Sequence, residues 1–206
     1  MDKNYEISRA KFFDTDERKT ILTVSEDKAN ADLAKGRTTW PTRWMLVHLA
    51  FYSGLRVSEI AALTINDCKL QKTDPYIEVR NGKRNKSRDV YIDRVLAKHI
   101  KEYIKLKKTW DQPTEPDAPL FAGRGGKHVT TNNLSLSFKK AVKAAGLRDE
   151  LSIHSARHTY ATNLLEKTGN LRYTQKQLGH SHINMTSLYA DILPESNGNL
   201  ANKILE

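Results

Sequence analysis

The chain has 206 residues and a formal net charge of +10, with 34 Lys and Arg against 24 Asp and Glu. This length fits one large domain or two small ones, and no apolar run reaches the ~18 residues that a transmembrane helix needs. One cysteine, Cys68, excludes an internal disulfide framework, and the charged N-terminus lacks the apolar segment of a secretory signal, so we expect a cytoplasmic protein. The basic excess favours a polyanionic partner, nucleic acid first and an anionic membrane surface second.

In the N-terminal third, the hydrophobic pattern predicts helices. Residues 1–20 are polar with no strong period, and residues 22–36 are weakly helical. Pro41 is suited to the first position of a mostly apolar helix that Gly54 ends, and a short helix follows over Val57–Leu63.

The middle of the chain predicts a β-hairpin. Residues 76–80 and 89–92 alternate as two strands do, and the stretch between them, NGKRNKSR, is a polar turn rich in cations. Helical spacing of apolar residues continues over 94–108. Three prolines exclude a regular helix from 109–119, and we expect Leu120 and Phe121 to form a short buried strand.

The C-terminal part is helical by the same criteria. Helices are predicted over 133–145, 155–168, 172–179 and 182–191, with a last weak helix over 196–206. Gly146 is a suitable residue just after the first of these helices. The predicted fold class is therefore mainly α with a small antiparallel β-sheet, an α+β arrangement.

The positive charge is concentrated in two segments. Residues 69–110 hold 13 basic and five acidic side chains, a net +8, and residues 151–189 hold four basic and one acidic, a net +3. Both ends of the chain are slightly acidic. This distribution predicts one face that neutralises phosphates, with an ordinary solvated lysine-rich surface as the alternative for residues 98–108.

Four short strings carry residue types suited to chemistry on a phosphate: SGLRVSE at 53–59, NGKRNK at 81–86, HSARH at 154–158 and LGHSHINMTSLY at 178–189. Taken together, their order and spacing resemble the tyrosine recombinase (phage integrase) family. That family has an arginine in a G-L-R-x-S-E string, a lysine on a β-hairpin, H-x-x-R, L-G-H, and a tyrosine nine residues later.

The resemblance implies the tyrosine recombinase catalytic-domain fold over residues 21–192. A polar segment, 1–20, precedes this domain, and a tail, 193–206, follows it and either docks on a neighbouring subunit or covers its own core. Many relatives carry an N-terminal DNA-clamping domain where this sequence has about 20 residues. The sequence is either cut from a longer protein or a naturally short member.

The resemblance also implies the reaction. Tyr189 is the implied nucleophile, which forms a 3′-phosphotyrosyl bond and frees a 5′-hydroxyl. Arg56 and Arg157 are implied to hold the two nonbridging oxygens of the phosphate, because planar guanidinium groups bind phosphate through paired hydrogen bonds. No metal or other cofactor is expected, since the covalent bond itself keeps the energy of the phosphodiester.

The remaining implied roles belong to proton transfer and support. Lys83 on the hairpin is the implied general acid for the 5′-oxygen, with Lys86 as its rival. His154 is the implied acid/base partner of the tyrosine, and His180 a hydrogen-bond donor to the phosphate. Glu59 is expected to hold Arg56 in place.

Two further interpretations concern the other histidines. His158 directly follows Arg157 and is expected to be structural. A zinc site made from His154, His158, His180 and His182 is conceivable by number, but no carboxylate or cysteine ligand pattern accompanies it.

The implied function is that of a site-specific DNA recombinase or integrase. Its expected partners are double-stranded DNA, further copies of the chain in a tetramer and helper DNA-bending proteins, at the nucleoid and without a membrane. The alternatives are a catalytically silent DNA-binding regulator with the same fold and a type IB topoisomerase-like DNA relaxase. Candidate DNA contacts, for which solvation is the alternative, are Arg84, Lys86 and Arg88 near the hairpin. On the predicted helix 133–145, Lys139, Lys140 and Lys143 are candidates for contacts to bases in the major groove, with a packed helix that has a solvated face as the alternative.

Overall fold

The computed structural model describes residues 11–80, 87–180, 182 and 184–190. Within them the helices are α1 (Thr15–Leu33), α2 (Thr39–Ser53), α3 (Val57–Ala62), α4 (Arg94–Thr109), α5 (Thr131–Ala144), α6 (Ile153–Thr168), α7 (Leu171–Leu178) and α8 (Asn184–Ala190). The strands are β1 (Cys68–Lys69), β2 (Tyr76–Val79) and β3 (Arg88–Tyr91). The predicted fold class, mainly α with a small antiparallel sheet, is confirmed.

Helix α1 begins earlier than its hydrophobic pattern predicts. The Asp14 side chain accepts a hydrogen bond from the backbone N–H of Glu17, and the Glu17 side chain accepts one from the N–H of Asp14. This reciprocal capping satisfies N–H groups that would otherwise lack partners at the helix start. The cap, rather than apolar periodicity, therefore sets the first turn within the polar segment.

Helix α2 is the centre of the domain. Its residues Met45–Phe51 are all buried, and the helix packs against α1, α4, α5 and α6. It starts at Thr39, so Pro41 lies at the third helical position rather than the predicted first. It ends at Gly54, where φ is +62° and an added Cβ would lie 2.2 Å from a ring carbon of Tyr160. Glycine is required there on both counts.

The predicted hairpin is present as β2 and β3, whose register pairs Ile77 with Val90. Strand β1 adds a third, antiparallel strand beside β2 and was missed, because two residues are too few to show alternation. The prediction of a short strand at Leu120 and Phe121 was wrong. Both residues are buried, but only single bridges form on either side of them, between Thr64 and Pro119 and between Ala122 and His128.

The C-terminal helices follow the prediction with shifted ends. Helix α5 begins two residues before its predicted start, at a cap in which the Thr130 side chain accepts from the N–H of Asn133. The hairpin tip, residues 81–86, and the predicted helix over 196–206 lie outside the described residues. Among the described helices, none is long and apolar enough to cross a membrane.

Candidate active site

The first arginine of the site is fixed by the turn that starts α3. Arg56 is the N-cap of that helix, and its backbone N–H donates to Glu59 Oε2 at 2.8 Å. The Arg56 side chain reaches the same carboxylate, with Nη1 2.9 Å from Glu59 Oε1, and its Nη2 donates to the carbonyl of Gly179 at 3.2 Å. The spacing R-x-x-E thus places Arg56 and Glu59 together on the capping turn at the start of α3.

The second arginine lies in the middle of α6 and is buried, with 6% of its surface exposed. Arg157 Nη1 donates to the carbonyl of Gly54, and Nη2 donates to the carbonyl of Leu178 at 2.9 Å. These carbonyls belong to the C-terminal ends of α2 and α7. The guanidinium therefore joins the two helix ends that the SGLR and LGH strings form.

Arg88 is the third arginine at this centre, and it comes from the start of β3. Its Nη1 and Nη2 bind both oxygens of Glu59 at 2.9 and 3.0 Å, and its Nε donates to the carbonyl of Gln177 at 3.2 Å. An added Cβ on Gly179 would lie 2.7 Å from the Arg88 guanidinium carbon, and φ at Gly179 is +63°. Glycine is thus required at position 179 both by the left-handed backbone conformation and by the close approach of the Arg88 side chain.

Glu59 is the common partner of the three arginines. Its nearest distance to Arg157 Nη1 is 3.9 Å. Burial raises the pKa of this carboxyl, but hydrogen bonds and charge from Arg88, the N–H of Arg56 and the charge of Arg157 outweigh it, so that the pKa falls to about 2. Three cations around one ionised carboxylate leave a net positive site, which favours an anion such as a phosphate.

His180 follows the left-handed residue Gly179 and points into the centre. Its Nε2 lies 3.2 Å from Arg157 Nη2, and its Nδ1 lies 2.9 Å from Thr186 Oγ1. Burial and the charge of Arg157 lower its pKa to about 3, so the ring is neutral. Because a guanidinium can only donate, Nε2 of His180 accepts the hydrogen bond from Arg157. Nδ1 therefore carries the ring's proton and donates a hydrogen bond to Oγ1 of Thr186.

Tyr189 lies on α8 with only 2% of its surface exposed. Its ring stacks on His180, with centroids 6.2 Å apart and an interplanar angle of 13°. Its hydroxyl lies 2.9 Å from Nδ1 of His158. The pKa of His158 is lowered to about 4 by burial, with the charge of Arg157 as the next cause.

The other implied catalytic residues stand apart from these contacts. His154 lies on the first turn of α6 with an exposed side chain. Lys83 and its rival Lys86 lie outside the described residues, as does Arg84. Their roles remain predictions.

The candidate DNA contacts have different surroundings. Arg88 binds Glu59, as described above, and Lys139 donates from Nζ to the carbonyl of Leu151 at 3.0 Å. Lys140 and Lys143 are exposed on α5. Only the last two, among the described candidates, present a solvent-facing cation without a contact that already fixes it in the domain.

No group of three or more His, Cys, Asp or Glu side chains in the described part of the chain has the arrangement of a metal site. Two of the four histidines of the zinc alternative instead have other partners: His158 contacts Tyr189, and His180 contacts Arg157 and Thr186.

The sequence patterns missed two contacts of this centre. Arg88 was grouped with the backbone-binding cations, although its partner is Glu59, and His158 was separated from the tyrosine it contacts. Arg88 lies two residues past the cationic turn, where charge alone gives no signal of its partner. His158 carries a weak signal, since it directly follows the arginine of H-x-x-R.

Solved structures share this fold. The chain matches the crystal structure of XerA recombinase with a TM-score of 0.72 and 26% identity, over 95% of this chain and 65% of that one. It matches XerH site-specific recombinase bound to palindromic difH substrate with a TM-score of 0.74 and 24% identity, over 95% of this chain and 53% of that one. The fold is that of the tyrosine recombinase catalytic domains.

Sequence comparison gives the family. The sequence model of the phage integrase family matches residues 11–196, so the chain belongs to that family. It is 30% identical over 163 residues to a tyrosine recombinase of Thermosipho africanus, covering 77% of this chain and 52% of that protein. It is 33% identical over 150 residues to tyrosine recombinase XerC of Pseudomonas aeruginosa, covering 71% and 46%. The chain thus spans about half the length of the curated relatives it matches.

Proposed function

We propose that the protein is a site-specific DNA recombinase that cuts and rejoins DNA strands through a 3′-phosphotyrosyl intermediate. The observation that carries the proposal is the position of Tyr189. Its side chain is buried against His180, which itself lies 3.2 Å from Arg157 in the arginine centre around Glu59. A nucleophile beside a net positive site is what attack on a phosphodiester requires.

In the proposed reaction, Arg56 and Arg157 bind the nonbridging oxygens of the scissile phosphate. The oxygen of Tyr189 forms a bond to phosphorus while the bond to the 5′-oxygen breaks, and Lys83 supplies the proton that this leaving oxygen takes up. The 5′-hydroxyl of a second strand then attacks the phosphotyrosine and releases the tyrosine. The family resemblance implies an acid/base role for His154 at the tyrosine and a supporting role for His180 at the phosphate.

The partner in this proposal is double-stranded DNA, which a tetramer of the chain binds together with helper DNA-bending proteins. The proposed location is the cytoplasm, at the nucleoid. The catalytic domain comprises residues 21–192, and the tail over 193–206 docks on a neighbouring subunit. The similar XerH recombinase was crystallised bound to its difH substrate, which supports DNA as the substrate class. Exposed Lys140 and Lys143 are the proposed DNA contacts from α5.

The test begins with selection of bound duplexes from a random-sequence library at moderate salt, where sequence-independent backbone binding is weakened. The selected duplex is then nicked beside the expected cleavage position, so that the short fragment with the free 5′-hydroxyl diffuses away and the covalent complex accumulates. We expect a detergent-resistant protein–DNA adduct with the 206-residue chain and none with Tyr189→Phe, which should keep its DNA affinity.

Other results decide between the alternatives. Binding of the selected duplex without an adduct would favour a silent regulator. Relaxation of supercoiled plasmid without site preference would favour a relaxase. An adduct from the Tyr189→Phe variant would remove Tyr189 from the reaction.

A further inference from the structure

The hydroxyl of Tyr189 has a partner that the motif pattern does not assign to it. Nδ1 of His158 lies 2.9 Å from the tyrosine oxygen, a distance typical of a good hydrogen bond. His154, to which the resemblance gives the acid/base role, lies one helical turn earlier on α6 with an exposed side chain. The geometry thus places a different histidine at the reacting atom.

The surroundings of His158 keep its ring neutral. It is packed between Phe12, with ring centroids 5.8 Å apart, and Tyr189, also at 5.8 Å. Burial and the neighbouring charge of Arg157 lower its pKa to about 4. A neutral imidazole has one nitrogen that accepts a hydrogen bond, which a phenol hydroxyl can donate to.

A cation also lies close enough to Tyr189 to act on it. Arg157 and the tyrosine interact electrostatically, which favours negative charge on the phenol oxygen. An acceptor for the proton and a cation for the developing charge are the two groups that activate a weak nucleophile.

We infer that His158 is a further catalytic residue, the base that takes the proton of Tyr189 as the tyrosine attacks the phosphate. The Oη–H bond breaks and the proton moves to Nδ1 of His158 while the bond from Oη to phosphorus forms and the bond from phosphorus to the 5′-oxygen breaks. When the 5′-hydroxyl of the second strand later attacks, its proton goes back to Lys83, the bond from phosphorus to Oη breaks, and His158 returns its proton to Tyr189. The inference rests on the proposed function and assigns the tyrosine's proton to His158 instead of His154.

The charges around His158 also determine when the transfer occurs. The charged and titratable groups that face it are Arg157 and His154 on its own helix, Lys11 before α1, His180 after α7, and Tyr189 on α8. Most of them disfavour a charged imidazole. A bound phosphate adds negative charge and so makes His158 a better proton acceptor only when substrate is present.

The test compares single-turnover cleavage of the selected nicked duplex by the wild-type chain, His158→Phe and His158→Asn. We expect His158→Phe to lower the cleavage rate by roughly 10²- to 10⁴-fold, the range of general-base catalysis, with unchanged non-covalent DNA affinity. Asn places an oxygen near the position of Nδ1 but does not take up a proton, so His158→Asn should stay at least about tenfold below wild type. His182→Asn, at an exposed histidine, is the matched control and should cleave as wild type does.

The pH profile separates proton transfer from structural support. Tyrosinate needs no base, so the deficit of His158→Asn should shrink by about tenfold per pH unit as the pH rises toward the phenol pKa near 10. A folding defect would give a deficit that does not shrink in this way.

Several outcomes would overturn the inference. Wild-type rates in His158→Phe, a faster rate in that variant, or full recovery in His158→Asn would each show that His158 does not accept the proton. A deficit that shrinks with pH in His154→Asn but not in His158→Asn would return the role to His154. Absence of any adduct from the wild-type chain would instead be a failure of the proposed function.

Discussion

Arg88 and Glu59 form a bidentate ion pair, in which Nη1 lies 2.9 Å from Oε1 and Nη2 lies 3.0 Å from Oε2. The pair connects the start of β3 to the first turn of α3 across 29 positions of sequence. Both side chains are largely buried. The hairpin that bears Lys83 is therefore anchored to the same carboxylate that holds Arg56.

Replacing Arg88 should destabilise the domain. Arg88→Ala leaves the buried, charged carboxylate of Glu59 without the two hydrogen bonds and the positive charge of Arg88. We therefore expect a loss of about 3 kcal/mol in the free energy of unfolding. Arg88→Lys should recover only part of this loss, since an ammonium group does not make the two-armed contact. Urea unfolding measures both variants, with Arg94→Ala at an exposed arginine as control. A loss below about 1 kcal/mol would mean that Arg56 and Arg157 suffice to hold Glu59.

Two glycines in the same backbone conformation separate strain from contact. Gly146 and Gly179 both end helices with φ of +68° and +63°, but an added Cβ meets nothing within 4 Å at Gly146 and the Arg88 guanidinium at Gly179. Gly146→Ala should cost about 1–2 kcal/mol from backbone strain alone. Gly179→Ala should cost about 1–3 kcal/mol more, because Arg88 must move. Equal losses in thermal or urea unfolding would show that Arg88 adjusts freely.

Glu59 should make stability depend on pH below about 5. Its pKa is about 2 in the folded protein against an ordinary 4.5, because the effects of Arg88, Arg56 and Arg157 exceed that of burial. Above 4.5 the carboxyl is ionised in both states and its contribution is complete. As the pH falls from 4.5 toward 2, the unfolded chain takes up the proton first, so this contribution, about 3 kcal/mol, is lost.

The comparison with Glu59→Gln isolates this effect. Between pH 5 and 3, the unfolding free energy of the wild type should fall more than that of the variant, because every other titrating group is shared. Parallel curves for the two proteins would contradict the lowered pKa of Glu59.

Lys107 should be a structural cation. Its side chain is fully buried, and its Nζ donates to the carbonyls of Pro119 and Leu120 at 2.7 and 3.1 Å. Burial lowers its pKa to about 8. Lys107→Met should cost about 2–3 kcal/mol of unfolding free energy, because two buried carbonyls lose their donor. The exposed neighbour Lys108 gives the control, and a loss in Lys107→Met no larger than in Lys108→Met would contradict this role.

The sequence by itself determined the class of fold, the hairpin, most helices and the set of residue types suited to a phosphate. These depend on local properties, because the alternation of strands, the spacing of helices and the string R-x-x-E are each complete within a few residues. The helix starts were less accurate, since the capping contact of Asp14 with Glu17 sets the start of α1 independently of apolar periodicity.

Only the tertiary structure decided how the individual cations and histidines are used. The net charge of +8 over residues 69–110 counts all 13 basic side chains equally. In the structure, however, Arg88 binds Glu59 and Lys107 binds two carbonyls in the core. The contact of His158 with Tyr189 joins positions 31 residues apart on two helices. Charge and spacing specify which groups are available, whereas the packing of separate elements selects the partner that each group contacts.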